Sequence, residues 1–491
     1  MKSSHLFYNI NHHSMKFKIF GLLFFLASIV SSAQVAKAQT DDAVFDMQQC
    51  IDYAVEHSTD MKNAILDEQS ADSKVRETIG IGLPQVNGSV SVQKSPTLQR
   101  FYGQYSPNST IGPTADQALQ AGINDGDVFA AENFFQLKGA GDANLSINQL
   151  IFNGSYIVGL QASNTYKELS IKQKIKTKGD VTSDVAKSYF NVLINQDRLR
   201  LFEANLARLD TLYHNTVEMQ KSGFAEQIDV DRLKVSLNNL KSEQENVKNL
   251  NILSMRLLKF QMNYPLDQQL KLSGSIEDVL SMSIGEIRED VAYMDRPDYQ
   301  VLMTNRKLQE LNIKNKYAEA LPSIGAFATL GYSTQSPTFT GLFSTESNFS
   351  AVSGIGPDQW YKYSTVGLRL SWNLFSGMQR SFQIQQEKIE LEKLENNIDQ
   401  FEYAINMEVK EAALTLENAL QKFEVQKENT ELAERIFRIT QLKYEEGVGS
   451  NFEVVEADSA LKEAQTNYYN SLFEAIIAKI DLNMALGRND Q

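Results

Sequence analysis

The sequence predicts an α+β chain built from two copies of a very long helical hairpin, each joined to a pair of short amphipathic strands. Three observations carry this: where the prolines fall, a period-two alternation in short segments, and repetition of the whole element order. The nine prolines (84, 96, 107, 113, 265, 297, 322, 337, 357) all avoid residues 155–263 and 380–487. Proline costs about 3 kcal/mol inside a helix, so those two tracts are where long helices can run.

Residues 1–38 read as a secretory signal peptide, with Lys16 and Lys18 before an apolar run from Ile19 to Val30 and small-residue exits near Ala33 or Ala38. Beyond the signal the chain is acidic: 43 basic against 61 acidic residues, a net charge of −18. That balance argues against nucleic acid and against an anionic surface met through a basic face. One cysteine, Cys50, excludes an internal disulfide and reads as a buried, inert thiol. No apolar run after the signal reaches the roughly 18 residues of a membrane helix.

The first repeat spans 39–263. It opens with a helix at about 46–80 and continues with strands at about 84–94 and 142–153. Helices at about 155–222 and 229–263 complete it. Val185, Tyr189, Val192, Leu199, Phe202, Leu206, Leu209 and Tyr213 step by three, four or seven, the seam of a coiled coil. A connecting segment, 264–294, leads to the second repeat at 295–487. There a helix at about 295–319 precedes strands at about 324–335 and 363–375, then helices at about 380–446 and 452–487, with a tail at 488–491. Leu391, Leu394, Ile398, Phe401, Ile405, Val409, Ala412 and Leu416 form the matching seam. Nearly 70 residues at 1.5 Å each make a helix of roughly 100 Å.

The strand segments alternate. Val86, Gly88, Val90 and Val92 oppose Asn87, Ser89, Ser91 and Gln93; Val366, Leu368, Leu370, Trp372 and Leu374 oppose Thr365, Gly367, Arg369, Ser371 and Asn373. About ten residues is the length of a tilted strand that crosses a bilayer. A soluble antiparallel sheet with one wet face gives the same pattern. The connecting loops, 94–141 and 336–362, are long enough to act as caps or plugs. The repeat offset is 238 residues at Leu83-Pro84 and Leu321-Pro322, and 224 at the glycines that end the long helices.

In detail the chain resembles the TolC-like outer-membrane efflux proteins over about 46–487. The likeness rests on the duplicated unit, on "LPQV" and "LPSI", on "IFNG" and "LFSG", and above all on "GVGSNFEVVEADSAL" followed by "LNMALG". It implies a homotrimer in which each chain gives four transmembrane strands to one shared β-barrel above a periplasmic helical tunnel. It further implies an outer-membrane location and three kinds of partner: a periplasmic adaptor, an inner-membrane pump of RND or ABC type, and outer-membrane lipid. The expected function is a passive exit duct. A secreted coiled-coil scaffold or adhesin without a pore would also explain the helices and the charge. No phosphate-cradling loop, placed nucleophile or histidine pair points to an enzyme, a cofactor or a metal.

Candidate site residues cluster where the helices turn. Ser450-Asn451-Phe452-Glu453 reads as a capping box, in which Glu453 returns to the cap residue's N–H. The resemblance gives Glu453 and Glu456 a second role, as an acidic pair lining the tunnel's narrowest point. Asp229 and Tyr444 match positions that tie neighbouring helices shut there. Gly223, Gly447, Gly449 and Ser450 are then the hairpin-tip turns that meet an adaptor, and Pro84 and Pro322 the helix-to-strand hinges. In the first repeat Arg232 stands in place of Glu456. Gly449 stands where the best-known member carries an arginine of the lock, which puts the lock chemistry in question.

Overall fold

A computed structural model describes residues 43–133, 135–274, 276, 292–343 and 360–488. The signal segment, most of the connecting segment, residues 344–359 of the second loop and the last three residues lie outside the described residues. In chain order the helices are α1 (Met47–His57), α2 (Thr59–Ile81), α3 (Ala115–Ala121), α4 (Gly154–Lys221), α5 (Gln227–Met262), α6 (Pro297–Ala318), α7 (Gln379–Glu445) and α8 (Asn451–Ala485). The strands are β1 (Ala43–Phe45), β2 (Gln85–Lys94), β3 (Arg100–Gln104), β4 (Val128–Glu132), β5 (Gly139–Phe152), β6 (Leu270–Leu272), β7 (Ser323–Ser336) and β8 (Tyr361–Ser371). None of the described helices is long and apolar enough to cross a membrane.

The long helices α4 (68 residues) and α7 (67 residues) are the two spines. Each pairs along one half with the helix next in the chain, α5 on α4 and α8 on α7. Along the other half α4 is flanked by α2 and α6, and α7 by α6. Short helices therefore meet end to end beside each spine. At one junction the Asn263 amide, just past α5, donates to the His57 carbonyl at the end of α1, 3.0 Å away. At the other, Arg296 donates to the Ala485 carbonyl at the end of α8, 3.0 Å away, and also holds Asp298 and Glu408, each at 2.7 Å. The largest apolar cluster lies at this level, with Cys50, Ala54, Val185, Val192, Leu258, Met262 and Ile476 buried together. Burial, with Asp46 adding to it, pushes the Cys50 thiol up to about 12, so this sulfur is inert at neutral pH.

One expectation needs correction, and one loop holds more structure than its sequence shows. The helix at 46–80 is two helices, because Ser58 is extended (φ −61°, ψ 150°) and its hydroxyl accepts from the Met61 N–H at 3.3 Å. A serine at that position starts a new helix rather than continuing one. The loop at 94–141 holds a folded unit: β3 pairs with β4 in antiparallel register and α3 covers one face, burying Tyr105, Ala118 and Phe129. Its partners are 24 residues and more apart along the chain, beyond any helical or strand period.

The main sheet has the order β2-β5-β7-β8, antiparallel throughout, with β2 and β8 at its edges. Register sorts its side chains into two faces. One carries Val86, Val90, Val92, Leu145, Ile147, Ala328, Leu330, Val366, Leu368 and Leu370; the other carries Asn87, Ser89, Ser91, Asp142, Asn144, Ser146, Thr329 and Arg369. On this polar face the Tyr363 hydroxyl donates to Asp142 at 2.7 Å. It reaches across β7 because Gly331 has no side chain; a Cβ there would come within 2.8 Å of the Tyr363 ring. Strand β8 stops at Ser371, so Trp372 leaves the sheet and its indole N–H binds the Ala320 carbonyl at 3.0 Å. Pro84 and Pro322 stand immediately before β2 and β7, where helix gives way to strand.

Candidate functional site

Both long hairpins turn in the same way. After α4, the Phe224 N–H bonds the Met219 carbonyl at 2.8 Å; after α7, the Val448 N–H bonds the Lys443 carbonyl at 2.9 Å. Each closure needs one left-handed residue, supplied by Gly223 (φ 77°) and Gly447 (φ 74°). The next residue is thrown outward, leaving Phe224 81% and Val448 79% exposed. Gly449 packs tightly, since a Cβ there would lie 3.0 Å from Lys443 Cβ and 3.1 Å from Tyr444 N. A side chain at this position would require the end of α7 to give by a few tenths of an ångström.

The helices that leave the turns start differently. Ser450 is extended, and its hydroxyl accepts from the Glu453 N–H at 3.3 Å. The return bond of the expected capping box is not made: the Glu453 side chain stays in water. In the first hairpin that return bond does exist, from the Glu226 N–H to the Asp229 carboxylate at 3.3 Å. Glu453 and Glu456 are both exposed on the opening turns of α8. Asp229 is less so, and the Arg232 guanidinium stands 3.9 Å from it.

The two tips pack side by side. Arg232 of α5 lies over the Phe452 ring of α8, 5.6 Å from its centroid. Tyr444 is buried, and its hydroxyl shares a 3.2 Å hydrogen bond with that of Thr216 on α4, itself fully buried. Tyr444 thus links the two hairpins of one chain through Thr216. Leu212, Leu233, Leu237, Val454 and Leu461 fill the space behind it.

Three features of the tip were not expected from the sequence. Arg208 stacks on Phe437 (4.5 Å), bonds Asn205 (2.8 Å) and faces the buried Asp458, which also pairs with Lys462. Asn451, 2% exposed, has neither amide atom bonded within the described residues. Phe224, Val448, Ile228 and Phe452 form two pairs of exposed apolar residues at equivalent repeat positions. The offset of 224 was enough to align them; their exposure needed the turn geometry.

Residues 292–488 match the family model of outer membrane efflux proteins. No protein with curated function matches the sequence. Solved structures match along nearly the whole chain. With CusC the TM-score is 0.68 at 16% identity, covering 94% of this chain and 95% of the other. With the outer membrane protein VceC of Vibrio cholerae the values are 0.64, 14%, 90% and 96%. With the open state of the MtrE outer membrane channel of Neisseria gonorrhoeae they are 0.63, 17%, 90% and 88%. An outer membrane efflux protein domain thus occupies residues 292–488, within a fold shared along nine-tenths of the chain with solved outer-membrane channels.

Proposed function

We propose that this chain is the outer-membrane exit duct of a tripartite efflux or secretion system. In this reading it is a passive channel-tunnel of three copies, opened at the hairpin tips by a periplasmic adaptor and an inner-membrane pump of RND or ABC type. The observation that carries it is the main sheet, apolar on one face, polar on the other, and unpaired at both edges among the described residues. Open edges are not tolerated in lipid. Because the strand number is even, β2 and β8 run in opposite directions. The β8 of one copy can therefore pair with the β2 of the next and continue the antiparallel order until the ring closes. The polar face, with Asp142, Asn144 and Arg369, then lines a wet lumen. Trp360, whose ring covers Gly141, and Trp372 stand at opposite ends of the apolar face, where an aromatic girdle belongs. Tyr361 and Tyr363 share the opposite face and are not part of that girdle.

The helices support the same assembly. Exposed Ile389, Tyr403, Met407 and Leu414 on α7, and Leu250, Leu253 and Leu257 on α5, form apolar stripes that a neighbouring copy would cover. Threefold repetition brings three copies of Glu453 and Glu456 to the mouth at the hairpin tips, a ring that attracts cations. The Arg232–Phe452 contact and the Tyr444–Thr216 bond join the two tips of one chain, while Asp229 caps α5 and faces Arg232. Phe224 and Val448, carried on Gly223, Gly447, Gly449 and Ser450, form the apolar knob an adaptor would grip. Cell fractionation tests the reading. The protein should stay with the outer membrane and run on gels as a trimer that heat converts to monomer. Recovery as a soluble periplasmic monomer would sink it and favour a scaffold.

A further inference from the structure

We propose that the groove beside Lys362, on the apolar face of the main sheet, binds a phosphate-bearing anionic lipid of the membrane's outer leaflet. The inference rests on the reading of that face as membrane-facing. Val90, Ala143, Tyr332 and Lys362 stand in one row across the four strands. Gly88, Leu145, Leu330 and Ser364 form the next row. Together the two rows line a depression of about 760 Å³. Gly88 and Ala143 keep its floor low, and Val90, Leu145, Leu330 and Tyr332 form apolar walls suited to an acyl chain. Lys362 supplies a cation at its rim.

The charge pattern on this face is one-sided. Register places Lys94 on it too, beyond Val92 and opposite Gly139. Across the described strands the other residues on the face are uncharged: aliphatic, glycine, hydroxyl-bearing or aromatic, with the Gln149 amide at the end next to the long helices. Neither lysine's ammonium makes an ion pair or hydrogen bond within the described residues. In a chain of net charge −14 this is an unusual place for two cations and no anion. Both stand towards the end of the sheet remote from the long helices, with Trp360 covering Gly141 in the row just beyond Lys362. That is the level of headgroups, where a lysine stem can lie on apolar surface while its ammonium meets phosphate.

The test uses the full chain, purified and placed in vesicles of phosphatidylcholine containing a minority of phosphatidylglycerol. Lipids retained after extraction are counted by native mass spectrometry. The wild type should retain phosphatidylglycerol in preference to phosphatidylcholine. Lys362→Gln should cut that preference about fivefold, and Lys94→Gln should cut it further, since one basic group near an anionic surface has about that effect. Ala143→Leu should fill the groove and lower retention with both amines intact, and millimolar inorganic phosphate should not compete. An unchanged lipid preference in Lys362→Gln, or displacement of the lipid by phosphate alone, overturns the site while leaving the duct standing. If the wild type fails to float with vesicles at all, the membrane reading falls and the lipid site falls with it.

Discussion

Two roles were expected of Glu453, and the structure separates the atoms they would use. Its backbone N–H is bonded by the Ser450 hydroxyl, while its carboxylate stays in water next to that of Glu456. Replacing both side chains by alanine therefore leaves the cap bond in place and removes only a favourable charge at the start of α8, worth about 0.3–1 kcal/mol. Assembly of Glu453→Ala/Glu456→Ala should be intact, and its cation selectivity in single-channel recordings should fall. Unchanged selectivity would leave these residues as surface charge. The sequence revealed these acids and the glycines before them because turn chemistry is local. It did not reveal Thr216 as the partner of Tyr444, or Arg208 as a neighbour of Asp458. Those pairs join different hairpins, and their long separations carry no period. The likeness to efflux proteins pointed to Tyr444 as a tie; the atoms it ties were visible only in three dimensions.

At the scale of elements, proline was the most legible signal, because its cost in a helix is large and needs no partner. Both tracts without it are filled by helices α4 with α5 and α7 with α8. The break at Ser58 was harder to see. Helical spacing runs on through it, and only a cap that competes with the helix marks the boundary. The β3–α3–β4 unit was invisible for another reason: its small core is built from Phe101, Tyr105, Ala118 and Phe129, spaced by no regular interval. The junction of α6, α7 and α8 depends on contacts between three separate segments, and it makes a measurable claim. Burial opposes the charge on Asp298, yet the hydrogen bonds and positive charge of Arg296 outweigh it and hold the carboxyl below its ordinary value. A carboxylate with a depressed folded pKa stabilises the fold above its unfolded pKa, near 4, and loses that contribution as pH falls through the folded value. Asp298→Asn should cost roughly 2 kcal/mol at neutral pH. Its melting temperature should then fall less steeply than the wild type's between about pH 5 and pH 3. Parallel curves would mean that the Arg296–Asp298 pair contributes little there.

For the whole molecule, the decisive feature is the unfinished sheet. Its alternation was legible in the sequence, but alternation alone fits a soluble sheet as well. The register makes the difference, gathering the apolar side chains of all four strands on one face; among the described residues a short 3-10 turn, Thr340–Phe343, meets the end of the sheet, and no α-helix packs over the face. Under the proposed function the two edges, open among the described residues, are completed by further copies. This can be tested by a cysteine at Val366 on β8 combined in turn with one at each position from 86 to 92 on β2. Buried Cys50, with its thiol pushed up to about 12, can stay in place during mild oxidation. Antiparallel neighbours bring opposed Cα atoms to about 4.5–5.5 Å, within disulfide reach. Some β2 positions should give a ladder of one, two and three linked chains that stops at three. Protein that sits in the membrane but yields no linked species at any position, or a ladder ending at another number, would contradict the three-copy barrel.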